Sequence, residues 1–283
     1  MTGGAGHVAL RVMTLADIDD GLRLSGAAGW NQRESDWRFL LEGNPGRFVV
    51  AVRDGRVIGS GGAVCYGTSL AWVCMILVDP SERGHGIGTR IVSGVLERLS
   101  DMRSVGLDAT PFGLGVYTRL GFVETGRLLR MEAPPTSGGE DESPVRPLAP
   151  SDFSSVLALD REVFGADRGE LLRAAAARAP AFVGVVEGVL AGYCFGRDGA
   201  RSRQIGPVVA SDMELASSLV VTSLVSDLRQ PVVVDVPADR GDWLELLREF
   251  GFEEKRPLVR MFRGAPPVGH PESQWAIFGP EFG

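Results

Sequence analysis

Residues 78–89 read VDPSERGHGIGT, and this stretch decides how the chain is expected to fold. Just before it stands the apolar run Leu70–Val78, which has the length of a strand covered on both faces. After it, apolar residues recur at helical spacing over residues 88–102. Glycines between a strand and a helix allow close approach of a ligand, and the helix N-terminus directs free N–H groups to the same place. The stretch therefore predicts a diphosphate site.

Three phosphate-binding motifs compete for this loop. The dinucleotide fingerprint G-x-G-x-x-G fails because Thr89 stands where its last glycine belongs. The P-loop needs a lysine, and the chain has a single lysine, Lys255, far away. The pattern R-x-x-G-x-G/A fits at Arg83, Gly86 and Gly88. In this form the loop resembles the pyrophosphate-binding motif of the GNAT acetyltransferase superfamily, which holds coenzyme A.

The resemblance implies that this loop and the end of the preceding strand bind acetyl-CoA. In the family, main-chain groups at the end of the fourth strand bond the pantetheine arm and can also stabilise an oxyanion. A glycine-rich turn that only reverses the chain is the alternative interpretation. The predicted cofactor-binding residues are Leu77, Val78, Arg83, Gly84, His85, Gly86, Ile87, Gly88 and Thr89.

A second signature follows about 30 residues later. Residues 108–122 read DATPFGLGVYTRLGF and resemble the GNAT pattern Y-x-x-x-G-F on a short helix. The matching tyrosine of the family protonates the departing thiolate, which implies that Tyr117 is the general acid. A phenol with a pKa near 10 is protonated at neutral pH and suits this role. The alternative is a half-buried tyrosine bonded to the main chain. Phe112, Val116 and Leu120 recur every four residues and are predicted to face the core.

The general base is missing from its usual place. Many GNAT enzymes carry a carboxylate on the fourth strand, but residues 71–78 contain none. Asp108 ends the next strand, Asp36 lies on the helix that usually walls the substrate pocket, and Glu281 lies in the apolar end of the chain. Some tandem GNAT enzymes use a C-terminal carboxylate in the active site. These three are therefore candidate catalytic residues, and a water or the terminal carboxylate is the alternative base. The non-catalytic interpretation is a cap of the following turn for Asp108 and a solvated helix face for Asp36.

The acceptor site is predicted at the same helix. Trp30, Asn31 and Glu34 are the candidate substrate-binding residues, although a solvated helix face is the alternative for Glu34. The acceptor expected from the resemblance is the primary amine of a small molecule or a peptide. The sequence does not choose among such amines.

Composition limits the other partners. The 283 residues carry a formal charge of -7, which argues against nucleic acid because phosphates need a basic face. Three scattered histidines predict no metal site, and the longest apolar run is far short of the roughly 20 residues that span a bilayer. The N-terminus lacks a signal-peptide pattern, and the three cysteines form no CxxC pair. We therefore expect a cytoplasmic monomer or homodimer without a membrane partner.

The second half of the chain repeats the first. Several matches recur in the same order, which favours an internal duplication. At an offset of 130, Gly121-Phe122 matches Gly251-Phe252, and Arg130-Met131 matches Arg260-Met261. At an offset of 135, Arg11 matches Arg146 and Asp17 matches Asp152. At the first offset Met213 takes the place of Arg83, and Leu247 that of Tyr117. The second copy is therefore predicted neither to bind coenzyme A well nor to catalyse.

The domain organisation follows from this repeat. Together with the resemblance it implies an α+β fold class with α/β-type layers, as two tandem GNAT-like domains, each expected to be a mixed, centrally splayed sheet flanked by helices. Residues 1–134 form the predicted catalytic domain, and 147–265 the degenerate domain. The linker is 135–146, where proline, glycine, serine and acidic residues cannot bury apolar surface. Residues 266–283 form a tail predicted to pack at the active site.

These observations predict an acetyl-CoA-dependent N-acetyltransferase that transfers the acetyl group directly to an amine. Three alternatives stay open. One is a non-catalytic acyl-CoA-binding or sensing protein, and a second is a purely structural pair of pseudodomains. The third is an acyltransferase that uses a different acyl-CoA.

Overall fold

The computed structural model describes residues 7–135, 145–227 and 229–283. Its two halves have the same order of elements. The first half consists of β1 (Ala9–Val12), α1 (Ile18–Ala27), α2 (Glu34–Gly43), β2 (Val49–Arg53), β3 (Arg56–Tyr66), β4 (Leu70–Val78), α3 (Ile87–Glu97), β5 (Ser104–Ala109), α4 (Leu114–Arg119) and β6 (Val123–Ala133). The second consists of β7 (Val145–Pro147), α5 (Phe153–Phe164), α6 (Gly169–Ala176), β8 (Phe182–Val186), β9 (Val189–Arg197), β10 (Arg203–Ala210), α7 (Met213–Ser226), β11 (Val232–Pro237), α8 (Gly241–Glu249) and β12 (Glu253–Arg263), before the last strand, β13 (Gln274–Ala276).

The fourth strand is buried on both faces, which explains its continuous apolar sequence. Side chains alternate along a strand, so successive residues of β4 enter different cores. Ala71 and Val73 pack in the cluster that contains the apolar face of α3. Trp72 and Cys74 pack in the cluster that contains α1 and α2. This second cluster also includes Phe278 and other residues from beyond the first half, so the two halves share a core.

One mixed sheet runs through the chain, and its strand order reveals an exchange between the halves. The order is β1-β2-β3-β4-β5-β12-β6-β11-β10-β9-β8-β7, with β13 attached to β10. The strand β12 pairs antiparallel with β5 and β6, and β6 pairs antiparallel with β11. Each half therefore completes its sheet with the last strand of the other half. The predicted mixed sheets flanked by helices are confirmed, but they are joined into one.

The exchange also bears on the predicted domain boundaries. Neither 1–134 nor 147–265 closes its sheet with its own residues, because β6 and β12 lie in each other's half. Most of the predicted linker, residues 136–144, lies outside the described residues. Its last two residues belong to β7, which pairs with β8. The tail predicted to start at 266 contains β13.

Matched ion pairs hold the exchanged strands. Arg260 on β12 is 2.8 Å from Asp108 on β5, and Arg130 on β6 is 2.6 Å from Asp235 on β11. Both aspartate side chains are completely buried, and each accepts two hydrogen bonds from its arginine. The two arginines are the ones that recur at the offset of 130. The repeat in the sequence thus has a structural reason: each copy supplies the cation that neutralises the other copy's buried carboxylate.

The two parallel pairs of strands at the centre separate after a few residues. Leu70–Trp72 of β4 pairs with 104–106 of β5, and the strands then diverge. Beyond this point β4 bulges at Met75, whose φ is +56°, so the register with β3 shifts. In the second half β10 pairs with β11 only through Arg203 and Gln204. Each half therefore contains a cleft between its fourth and fifth strands.

The described part of the chain has no helix that is both long and apolar enough to cross a bilayer.

Candidate active site

The loop between β4 and α3 leaves main-chain groups free at the end of the first cleft. Gly84 and Gly86 adopt φ values of +83° and +72°, a region that favours glycine. Gly86 is the N-cap of α3, and no described side chain caps the first turn. Because the first N–H groups of a helix have no partner within it, these groups remain for a ligand. Residues 83–86 are exposed, so the main chain there fits a diphosphate from solvent.

Arg83 and Phe112 stand side by side at this loop. The Arg83 guanidinium lies 5.8 Å from the centre of the Phe112 ring, and its Nε donates to the Val78 carbonyl at 3.3 Å. Phe112 is 84% exposed, so the prediction that it faces the core is wrong. The helix α4 begins only at Leu114, so Phe112 lies before the helix and cannot belong to its apolar face. His85 is also exposed.

The corresponding loop of the second half has another construction. Only Ser211 and Asp212 separate β10 from α7. The Asp212 carboxylate accepts a hydrogen bond of 2.9 Å from the Leu215 N–H and caps the helix. An anionic side chain thus occupies the place where the first half leaves amides free. Since this connection is shorter, Arg83 has no counterpart, and its match with Met213 is wrong.

A cavity lies where β4 and β5 diverge, with about 630 Å³ of empty space, its open mouth included. Its walls come from both halves: β4, β5 and α4 form one side, and β12 and the C-terminal tail form another. The structure brings five predicted site residues to these walls, namely Trp30, Asn31, Asp108, Tyr117 and Glu281. Leu77 and Val78 do not line it, since they continue β4 towards the loop that precedes α3.

Tyr117 reaches the cavity from α4. Its ring packs edge-on against Phe122, at 6.0 Å between centres. A Cβ on Gly113 would lie only 2.8 Å from this ring, so glycine is needed for the close approach. No hydrogen bond joins the Tyr117 hydroxyl to a residue that the structure describes, and the bond to main chain considered above is not formed. Burial raises the pKa of Tyr117 above its ordinary value, so the phenol keeps its proton.

Asp108 lies on the cavity wall but is engaged elsewhere. Its two oxygens accept from Nε and Nη2 of Arg260, at 2.9 and 2.8 Å. The Arg260 guanidinium in turn lies 4.8 Å from the centre of the Trp72 ring. Burial raises the pKa of Asp108, although the arginine acts in the opposite direction. The carboxylate thus joins β5 to the exchanged strand.

The structure does not bring Asp36 or Glu34 to the cavity. Asp36 is buried, accepts a 2.8 Å hydrogen bond from the Arg33 N–H at the start of α2, and lies 2.7 Å from Arg197. Glu34 is 60% exposed and pairs with Arg38 at 2.7 Å. The resemblance implied that α2 walls the substrate pocket, but the cavity is lined by the segment before this helix, at Trp30, Asn31 and Gln32, and by no residue of the helix itself.

Glu281 is held at the cavity by residues from both halves. Its Oε1 accepts from Gln32 at 3.0 Å and from Arg197 at 2.6 Å. No described residue donates a hydrogen bond to its Oε2. The surrounding tail is fixed because Trp72 donates to the Pro280 carbonyl at 2.9 Å and Tyr66 donates to that of Phe282 at 2.7 Å. The carboxylate thus lines the cavity and is buried, yet one of its oxygens has no described hydrogen-bond donor.

The terminal carboxylate, considered above as an alternative to Glu281, does not reach this space. The main-chain oxygen of Gly283 accepts from Arg168 at 3.1 Å. Arg168 is fully buried and paired with Asp160 at 2.9 Å. Gly283 is not on the cavity wall.

Sequence reasoning missed four polar residues of this site. Gln32, Arg130 and Arg256 line the cavity, and Arg197 holds Glu281. Arg197 and Arg256 come from the second half, and nothing in their local sequence shows that they reach the first cleft. One signal was present, however: the residue matched to Arg256 at the offset of 130 is Gly126.

Comparison with known proteins agrees with this architecture. Two profiles, each described as Acetyltransferase (GNAT) domain, match residues 44–124 and 156–279. A relative named Uncharacterized N-acetyltransferase YitH, from Bacillus subtilis (strain 168), is 26% identical over 260 residues, which is 88% of this chain and 90% of the relative. Holothin acyltransferase from Pseudoalteromonas sp. (strain SANK 73390) is 28% identical over 255 residues, 87% of this chain and 84% of its own length.

Solved structures share the whole fold. A putative acetyltransferase from Pyrococcus horikoshii has a TM-score of 0.82 at 23% identity and covers 100% of this chain and 98% of its own. A tandem GNAT protein from the clavulanic acid biosynthesis pathway has a TM-score of 0.66 at 17% identity, over 91% and 98%. At these identities the likeness shows the fold alone.

The fold and the matches define an acyltransferase that takes its acyl group from an acyl-CoA. The chain belongs to the GNAT acetyltransferase superfamily and carries two GNAT domains in tandem.

Proposed function

We propose that this chain is an acetyl-CoA-dependent N-acetyltransferase that acetylates the primary amine of a small molecule or peptide, and that only its first half performs the reaction. The observation that carries the proposal is the placement of Tyr117 and Glu281 on the walls of one cavity. That cavity lies in the cleft that also ends at the uncapped start of α3. A proton donor, a proton acceptor and an anion site are thus available together.

The residues at the loop fit coenzyme A. The main chain from Gly84 to Thr89 would hold the diphosphate, with Arg83 supplying a positive charge beside it. Leu77 and Val78 would bind the pantetheine arm through main-chain groups on the side of β4 that β5 leaves unpaired. When bound, the cofactor supplies the acetyl group as a thioester. His85 would lie at the outer rim, since it is exposed.

Tyr117 is the general acid in this proposal. Its hydroxyl has no described partner to compete for its proton, and burial raises its pKa. It can therefore donate a hydrogen bond, and then a proton, to a sulfur atom that leaves as a thiolate.

Glu281 is the general base in this proposal. Arg197 and Gln32 fix one carboxylate oxygen, which leaves the other to accept a proton from the amine, directly or through a water. Asp108 is the weaker candidate because both its oxygens are bonded to Arg260. Asp36 would act by holding Arg197 in place. We assign Asn31 to the wall, since it bonds the main chain of Arg201 and Ser202.

The test replaces one oxygen of the proposed base. Glu281→Gln should lower kcat by about 10²-fold or more, the range in which a general base contributes, while the affinity for coenzyme A stays unchanged. Release of coenzyme A across a panel of amines measures the rate, and calorimetry measures the affinity. The matched control is Glu272→Gln in the same tail, where the side chain is 69% exposed and should not affect the rate. A normal rate for Glu281→Gln would exclude this residue as the base.

The choice of acetyl as the donor group has its own test. We expect acetyl-CoA to give a higher kcat/KM than propionyl- or succinyl-CoA with the same amine. A higher kcat/KM with a larger donor would mean that the protein is an acyltransferase whose donor is not acetyl-CoA.

A further inference from the structure

The charged side chains on the cavity wall differ in whether a residue of opposite charge pairs with them. Three of the charged residues there have an ion-pair partner within the protein. Asp108 is paired with Arg260, Arg130 with Asp235, and Glu281 with Arg197. These pairs need nothing from a substrate.

Arg256 is the exception. It lines the cavity from β12, and no hydrogen bond or ion pair joins its side chain to any residue in the described part of the chain. Its Nε atom is buried without a partner. A guanidinium stays charged in proteins, and burying an unpaired charge is costly. Burial and the neighbouring Arg130 lower the pKa of Arg256, while Asp235 and Glu281 act in the opposite direction without forming a hydrogen bond or ion pair with it.

A second polar group on the cavity wall lacks a hydrogen-bond partner, and this group is an acceptor, whereas Arg256 is a donor. The Oε1 atom of Gln32 is buried without a hydrogen bond, while the Nε2 atom of the same side chain donates to Glu281. Together with the unbonded Oε2 of Glu281, it offers acceptors for N–H groups. The cavity therefore has acceptors at Gln32 and Glu281 and unused donors at Arg256.

The repeat shows that Arg256 is specific to one half. In the pairing of β12 with β6, Arg256 lies opposite Arg130, and Gly126 lies opposite Arg260. At the offset of 130, Arg130 is equivalent to Arg260, and Arg256 is equivalent to Gly126. The first copy thus has a glycine at the position where the second copy has Arg256. The exchanged arginines Arg130 and Arg260 are explained by the fold, because both have carboxylate partners. Arg256 is not explained in this way.

We propose that the acceptor of this enzyme carries an anionic group beside its amine, as an amino acid does, and that Arg256 binds this group while the amine lies at Gln32 and Glu281. The proposal rests on the proposed function, since it places the acceptor in the same cavity. A carboxylate and a phosphate would both satisfy a guanidinium. The experiment therefore has an arm for each.

The experiment compares amines that differ only in this group. The probes are glycine, L-leucine and L-glutamate, each with its carboxamide at the α-carboxyl, and phosphoethanolamine with ethanolamine. The proteins are wild type, Arg256→Met and the control Lys255→Met, which removes the adjacent charge, itself paired with Glu253 outside the cavity. Rates give kcat/KM, and calorimetry gives the affinity without turnover. Because Arg256 has no partner to lose, Arg256→Met should melt no lower than wild type.

The expected result is a preference of wild type for the anionic member of at least one pair, by about 10- to 100-fold in kcat/KM, as a hydrogen-bonded charge typically supplies. Arg256→Met should abolish the preference by raising KM for that member, and Lys255→Met should keep it. The pair that shows the preference identifies carboxylate or phosphate. Equal rates within every pair, or a preference that survives Arg256→Met, would overturn the proposal while the acetyltransferase stands.

If no probe is acetylated, the proposed function fails on these amines, and binding decides the inference separately. A calorimetric affinity for an anionic probe that Arg256→Met weakens at least about 10-fold would support it. No binding of any anionic probe, or binding that Arg256→Met leaves unchanged, would overturn it.

Discussion

The two central clefts of this molecule begin alike and end differently. In each, a buried fourth strand pairs with a parallel fifth strand for two or three residues and then separates from it. In the first half the space between them is open and lined by both apolar and polar residues. In the second half β13 fills it. This strand pairs with Val208 and Val209 of β10, and the Ile277 N–H that follows donates to the Asp235 carbonyl at 2.9 Å.

Tryptophans secure this filling strand. Trp275 donates from its indole to the Ala210 carbonyl at 3.1 Å and packs edge-on against Trp243, at 5.4 Å between ring centres. Trp243 in turn donates to the Trp275 carbonyl at 3.1 Å. The chain then continues to the first cleft, where it places Glu281. The same C-terminal segment therefore closes the second cleft with β13 and supplies Glu281 to the first cleft.

The comparison teaches that a duplicated domain can lose its ligand site by satisfying it internally. The open strand edge of the second cleft is paired with β13, and the free amides of its helix are capped by Asp212. Buried main-chain groups and helix N-termini require partners in any fold. In the first half these groups remain for a cofactor, and in the second the protein provides the partners itself.

The largest effect that separates the halves is expected at Tyr117. Tyr117→Phe removes the proposed acid and should lower kcat by about 10²- to 10⁴-fold, with little change in the affinity for coenzyme A. Leu247→Met, at the matched position of the second half, keeps volume in the core and should leave the rate unchanged. Because burial raises the pKa of Tyr117, wild type should lose this acid only at a higher pH than an ordinary tyrosine would. A pH–rate profile with coenzyme A release measures both.

A normal rate for Tyr117→Phe would mean that the hydroxyl supplies no proton. The halves would then differ in cofactor binding alone.

A smaller effect is expected at the two helix starts. Gly86→Val places a β-branched residue at φ +72° beside the free amides and should weaken coenzyme A by roughly 100-fold, through the loss of charge-assisted hydrogen bonds. The matched change Asp212→Ala removes the cap of α7 at a cost of about 1 kcal/mol in stability and should not alter the affinity. Calorimetry should find one coenzyme A per chain in wild type and in Asp212→Ala. Two equal sites in wild type would refute the proposed division of roles.

Local features of this fold could be predicted from sequence, and distant ones could not. The strand, glycine loop and helix around Arg83 are contiguous, so their residue spacing predicts both the fold and an anion site. The duplication was visible in the recurring Arg-Met pairs, but their partners were not. Pairing of Arg130 with Asp235 joins residues that are 105 positions apart and depends on the exchange of whole strands.

The same limit applies to the cavity. Trp30 and Asn31 reach it, whereas Asp36 and Glu34 do not, because the cavity is lined by the segment before α2 and not by the helix that the resemblance pointed to. Phe112 failed because the helix begins two residues later than its pattern suggested. The strand β13 has only three residues, and so short a segment carries no periodic signal of its own.

The smallest expected effect tests whether the filling strand alone closes the second cleft. Trp275→Ala should lower the free energy of unfolding by about 2 kcal/mol, less than for a fully buried tryptophan because this ring is partly exposed. Coenzyme A should still bind once per chain, since Asp212 continues to cap α7 and the loop before it stays short. Thermal unfolding and calorimetry on the same preparation measure both quantities. A second molecule of coenzyme A bound by Trp275→Ala would show that β13 is the sole barrier, and the cap and the shortened loop would then be consequences of a site already closed.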